Sequence, residues 1–157
     1  MEHKLSTLEL AFRRRPYVKT PHGSCQSERN FLDFVVDGQS LSERTRYDLV
    51  SVLCTEWAAD ERERSVRRLL GEEAADFAGD RRSLLVCAEC GDIACGAIST
   101  IVNFSEKMVV WQDFGYQNNY EPEIHGEHLK NLGPFEFDLS DYKNKLIGAL
   151  EMIKTPL

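Results

Sequence analysis

Two β-branched and aromatic runs, GAISTIVNF (96–104) and MVVWQDF (108–114), are separated by only three residues, Ser105-Glu106-Lys107. Three residues is hairpin length, so the runs pair antiparallel. A second hairpin signal lies upstream. NFLDFVV (30–36) runs directly into Asp37-Gly38, and both central residues of a type I′ turn need positive φ. LSTLELAF (5–12) alternates at Leu8, Leu10 and Phe12 as a further strand, and SLLVC (83–87) is short and apolar enough to be a buried one.

Helical signals are fewer. DERERSVRRLL (60–70) carries acids in its first turn and arginines in its last. Asp60 can cap it and Gly71 ends it. A final helix begins at Asp138 or Ser140 and carries the apolar stripe Tyr142, Leu146, Ile147, Leu150 and Ile153, with Pro156 beyond its end. YDLVSVLCTEW (47–57) has no clean period and is expected to be irregular or a short helix. Residues 115–133, rich in Gly, Asn, Pro and His, read as a long loop. The expected architecture is α+β: one domain over residues 1–157, a mainly antiparallel sheet with hairpins, and two helices packed against it.

The chain has 157 residues, 42% of them hydrophobic, enough for one domain with a core. There is no apolar run of about 18 residues, so no membrane span is expected. The N-terminal MEHKLSTLELAFRRRPY lacks the features of a secretory signal, which points to a cytoplasmic location and reduced cysteines. The net charge of -7 argues against nucleic acid as a direct ligand and suits a basic partner. Residues 103–141 hold eight acids and two bases, which is -6 of that total.

Three of the five cysteines fall in CAECGDIACG (87–96). Cys87 and Cys90 have the C-x-x-C spacing that lets two thiolates meet one tetrahedral zinc. Cys95 is a third candidate ligand, and His125 or His128 a fourth. A thioredoxin-like redox pair uses the same spacing, but its nucleophile opens a helix, and here Gly91 and Asp92 follow instead. The third reading is a tight connection between two strands, its thiols packed as small hydrophobes. HGEH (125–128) lacks the one-turn spacing of a metalloprotease helix. No phosphate-binding glycine loop and no nucleophile elbow is present, so no catalytic residues are expected.

The segment WQDFGYQNNYEPEIHGEH (111–128) mixes aromatic residues with acids. Trp111 and Phe114 are expected in the core, and Tyr116 and Tyr120 at the surface. Aromatic anchors among carboxylates suit recognition of a basic protein.

VCAECGDIACGAIS, VVWQDFGYQNNY and GPFEFDLSDY together resemble a family of small, mostly uncharacterised bacterial proteins. The shared pattern is V-C-x-x-C-G-D-x-x-C-G-A, then V-W-x-D-F-G-[YW], then G-P-F-x-F before a last helix, over roughly residues 30–153. Such chains also resemble immunity proteins of contact-dependent growth inhibition and related polymorphic toxin systems, in size, acidity and want of an active site. That second resemblance implies binding and neutralising a cognate, basic, nuclease-type toxin by occlusion. No cofactor is then needed, and zinc stays the alternative. The expected contact surface is Asp113, Tyr116, Tyr120, Glu121, Glu123 and Glu127. The expected metal ligands, in the alternative reading, are Cys87, Cys90 and Cys95.

Overall fold

The computed structural model describes residues 4–154. It is an α+β fold. Strand β1 (Leu8–Arg15) is followed by a small ribbon of β2 (Val18–Lys19) and β3 (Cys25–Gln26). Then come β4 (Arg29–Val36), β5 (Gln39–Ser40) and helix α1 (Leu41–Thr45). Next are β6 (Leu49–Ser51), helix α2 (Ala59–Leu69), β7 (Arg81–Cys87), β8 (Ala97–Phe104), β9 (Met108–Gln117), β10 (Phe135–Asp138) and helix α3 (Leu139–Lys154).

All strand pairings are antiparallel. One sheet has the order β1-β4-β5 and the other β10-β9-β8-β7-β6. Backbone bonds join the two on both sides. Leu32 N–H donates to Leu53 O at 3.0 Å and Thr55 N–H to Asn30 O at 2.7 Å, while Ser6 N–H reaches Glu136 O at 2.7 Å. The strands therefore curl around a shared interior.

Both expected hairpins are present. Val36 pairs with Gln39 across Asp37 (φ 51) and Gly38 (φ 79), so the Asp-Gly turn has the positive φ at both positions that a type I′ turn requires. Phe104 pairs with Val109 across the Ser105–Lys107 loop. One irregularity interrupts that second ladder. Ser99 faces Gly115 and Ile101 faces Gln112, so Asp113 and Phe114 together oppose Thr100. Asp113 sits at φ 58, the bulge conformation that glycine usually fills.

The core is built around Trp111, which is fully buried. The rings of Phe34, Phe137 and Tyr142 meet it edge-on at 5.7, 5.0 and 6.0 Å between centroids, an arrangement aromatic quadrupoles favour. Its indole Nε1 donates to the Tyr142 hydroxyl at 3.2 Å, and that hydroxyl donates to Leu69 O at 2.5 Å. One buried chain of hydrogen bonds thus ties β9, α3 and the end of α2. In α3 the buried positions are Tyr142, Leu146, Ala149 and Ile153, the spacing of one helical face. Ile147, expected on that stripe, is exposed, because it lies a quarter turn from Leu146. The Asp138 carboxylate accepts from Asp141 N–H at 2.9 Å and caps the helix.

Four expectations need correction. Among the described residues there are three α-helices, not two. Ser40 Oγ accepts from Glu43 N–H and starts α1, whose five residues, buried only at Leu41 and Thr45, are too few to show a period. Residues 49–51 are strand β6, because Leu49, Val50 and Ser51 pair with Cys87, Val86 and Leu85; that partner is remote in sequence. Helix α2 starts at Ala59 with Ala58 as its cap position, so Asp60 lies in the first turn and does not cap. The loop after β9 begins only at residue 118, since Gly115–Gln117 remain in the strand. Pro156 lies outside the described residues.

Candidate functional site: a three-thiol turn beside an acidic loop

The cysteines sit where β7 turns into β8. Cys87 ends β7, and its carbonyl accepts from Gly91 N–H at 2.8 Å. Asp92 Oδ1 accepts from Ala94 N–H at 2.9 Å and opens a 3₁₀ turn over Ile93–Cys95. Gly96, at φ 110, leads into β8. A side chain there would also strike the Tyr116 hydroxyl, so both backbone and space demand glycine.

This path brings the three sulfurs together. The Sγ atoms of Cys87, Cys90 and Cys95 all lie within 4.8 Å of one another. Cys90 Sγ is 3.1 Å from Cys95 Sγ, and Asp92 N–H points at Cys90 Sγ at 3.4 Å. Tetrahedral zinc with bonds of about 2.3 Å places its sulfurs about 3.8 Å apart, so the cluster has the right scale. Burial disfavours the Cys87 thiolate, but the N–H groups of Cys90 and Glu89 and the neighbouring thiols outweigh it, and the thiol is held below its ordinary range. Cys95 is pushed up to about 11, first by its hydrogen bond with Cys90 and then by burial. A metal ion bound by the three sulfurs would displace the protons that the thiols retain.

Residues far away in sequence fix the turn. Glu89, inside the C-x-x-C, accepts the Ser27 hydroxyl at 2.6 Å, Ser27 N–H at 3.0 Å and Arg15 Nη1 at 3.0 Å. The Ser27 donors and then Arg15 hold its carboxyl down to about 2. Arg29 Nε donates to Ala88 O at 2.7 Å. The remaining cysteines are elsewhere. Cys54 is fully buried, and desolvation pushes its thiol up to about 12. Cys25 is exposed, 3.3 Å from the Tyr17 hydroxyl.

The histidines do not join the sulfurs. His128 Nε2 lies 2.7 Å from Thr45 O, and His125 pairs through its backbone with Tyr116. Among the described residues the cluster therefore has three donors, all sulfur.

The six residues expected to form one contact surface are divided. Asp113 stands at the bulge, where Arg81 Nη1 reaches it at 3.1 Å. The Arg81 side chain is buried and also donates to Ser99 Oγ and Gln117 Oε1, each at 3.0 Å, so Asp113 neutralises a buried cation. Tyr116, expected at the surface, is half-buried. Its ring stacks on Tyr47 with centroids 4.3 Å apart, and its hydroxyl reaches Cys95 O at 3.5 Å. Tyr120, Glu121, Glu123 and Glu127 are exposed on the 118–127 loop. Tyr120 is 70% exposed and Ile124 47%. Trp111 and Phe114 are in the core as expected.

The structure adds Arg15, Ser27, Arg29 and Glu89 as the scaffold of the cysteine turn, and Tyr47 and Tyr116 as the platform beneath it. No local sequence pattern carried these, since each contact spans many residues. The arginine run at 13–15 was a visible signal without a visible partner.

Comparison with protein-family models, curated proteins and solved structures found no match. Among the described residues no helix is long and apolar enough to cross a membrane.

Proposed function

We propose that this protein binds a thiophilic metal ion, zinc first among the candidates, through Cys87, Cys90 and Cys95. The observation that carries the reading is the convergence of three sulfurs on one turn. Thiolates select zinc or monovalent copper over hard cations. With three protein ligands, the fourth tetrahedral position belongs to water or to a donor from outside the chain, the arrangement of open rather than closed zinc sites. A reducing, cytoplasmic location goes with this reading, because it keeps the thiols available.

The test is metal analysis of protein purified without added metal. One equivalent of zinc or copper per chain, lost in Cys90→Ser and retained in Cys25→Ser, is the expected result. Substoichiometric metal, together with thermal stability unchanged by chelator, overturns it.

A second reading, an immunity protein that neutralises a basic toxin, is supported by the 118–127 loop. There Tyr120 and Ile124 stand exposed between Glu121, Glu123 and Glu127. Exposed apolar side chains ringed by carboxylates suit a basic cleft, and the interaction needs no catalytic group. Co-expression with the product of the neighbouring gene decides it. A product that is harmless alone, or that stays toxic beside this protein, removes the reading.

A further inference from the structure

We propose that Cys90 and Cys95 are a site of reversible oxidation, where a peroxide closes a disulfide and so withdraws two of the three metal ligands. The loss of metal rests on the metal-binding reading; the sulfur–sulfur bond does not.

The geometry favours this pair. The two Sγ atoms are already 3.1 Å apart, so a bond of about 2.05 Å needs them to approach by only about 1 Å. Both residues are exposed, whereas Cys87 is half-buried at the end of β7, its carbonyl fixed by Gly91 N–H. Cys90 also lines a cavity of about 450 Å³ with Trp57, Gly91 and Ile93, which gives an oxidant a route to its sulfur. Cys54 is fully buried, and Cys25 lies on the β2–β3 ribbon.

The chemistry balances with one hydrogen peroxide. The Cys90 sulfur attacks a peroxide oxygen as its thiolate, the O–O bond breaks, and hydroxide leaves and takes up a proton, the thiol's own in the metal-free turn and one from solvent in the metal-loaded chain. The product is a sulfenic acid at Cys90. The Cys95 sulfur then attacks that sulfur; the S–S bond forms, the S–O bond breaks, and the hydroxyl departs as water with the Cys95 proton or, in the metal-loaded chain, with a proton from solvent as the metal–sulfur bonds break. Two thiols and one peroxide give one disulfide and two waters. A dithiol reductant reverses it.

The experiment uses the metal-loaded chain carrying Cys25→Ser, which removes the other exposed thiol. Free thiols are counted in denaturant after a hydrogen peroxide pulse, peptides are mapped by mass, and released metal is read with a chromogenic chelator. The thiol count falls from four to two, the map shows Cys90 joined to Cys95, one equivalent of metal is released, and dithiothreitol restores both thiols and binding. A bridge involving Cys87, thiol loss without a bridge, or metal retained after the bridge has formed overturns the proposal. The further variant Cys95→Ser loses no pair of thiols reversibly; if it does, the proposal fails. A protein that carries no metal but forms the bridge removes the metal reading and leaves the oxidation site standing.

Discussion

Glu89 lies in the middle of the Cys87–Cys90 turn, yet its carboxylate accepts both the hydroxyl and the backbone N–H of Ser27, 62 residues earlier, at 2.6 and 3.0 Å. Its carboxyl is held at about 2, against 4.5 for an ordinary glutamate. A group depressed on folding stabilises the fold above its unfolded pKa, and that contribution is lost as pH falls through the folded one. The window is therefore from about 4.5 down to about 2. The side chain is 45% exposed, which screens the ion pair with Arg15. Glu89→Gln is expected to cost about 1 kcal/mol near neutral pH. The gap from the parent narrows on acidification, as urea unfolding at pH 7 and at pH 3 measures. A gap that is unchanged at pH 3 contradicts the assignment.

Tyr142→Phe leaves Leu69 O and Trp111 Nε1 without their buried partner while keeping the ring. The expected loss is about 2–3 kcal/mol, since two polar groups are left unsatisfied. Denaturant unfolding gives the magnitude, and a changed near-ultraviolet dichroism of Trp111 locates it. A loss under 0.5 kcal/mol would mean that water reaches the site.

Gly96→Ala forces a Cβ onto the Tyr116 hydroxyl and onto a backbone with φ 110. A cost of more than about 2 kcal/mol is expected. Loss of the Tyr47–Tyr116 stack, visible in the tyrosine dichroism, should accompany it. A neutral substitution would mean that the cysteine turn does not rest on Tyr116.

In metal-free protein at pH 8, an alkylating thiol reagent is expected to label four cysteines and spare Cys54. With the thiol at about 12 instead of 9, the thiolate is about 10³-fold scarcer, and burial adds a steric barrier. Labelling of Cys54 at the rate of Cys25 would show that the Phe31, Val50, Cys54 and Ala88 cluster opens readily.

Local chemistry was legible in the sequence. Asp37-Gly38, Ser105–Lys107 and the C-x-x-C spacing each act within a few residues, and each appears in the structure. Elements that exist only through distant partners were not. Strand β6 is three residues long and is a strand because β7 lies beside it. Asp113 is an exposed acid, as the sequence suggests, but nothing near it announces its pairing with Arg81, 32 residues away, or the bulge that turns the two together. Tyr116 reads as a surface residue, and it is half-buried because Tyr47 and the Cys95–Gly96 turn, both remote in sequence, pack against it. The proximity of the three cysteines is legible from their spacing, but the histidines that could add a fourth donor are held elsewhere, His128 at Thr45 O and the backbone of His125 at the β9 edge.

Tyr116 belongs to both candidate surfaces. Its amide and carbonyl pair with His125, which anchors the acidic loop; its hydroxyl rests against Cys95 O, inside the thiol turn. An occupant of either place thus acts on a residue the other depends on. Were a metal ion and a partner both to bind there, thermodynamic reciprocity would make the effect equal in both directions: whatever factor the metal imposed on the loop's grip for the partner, the partner would impose on the grip for the metal.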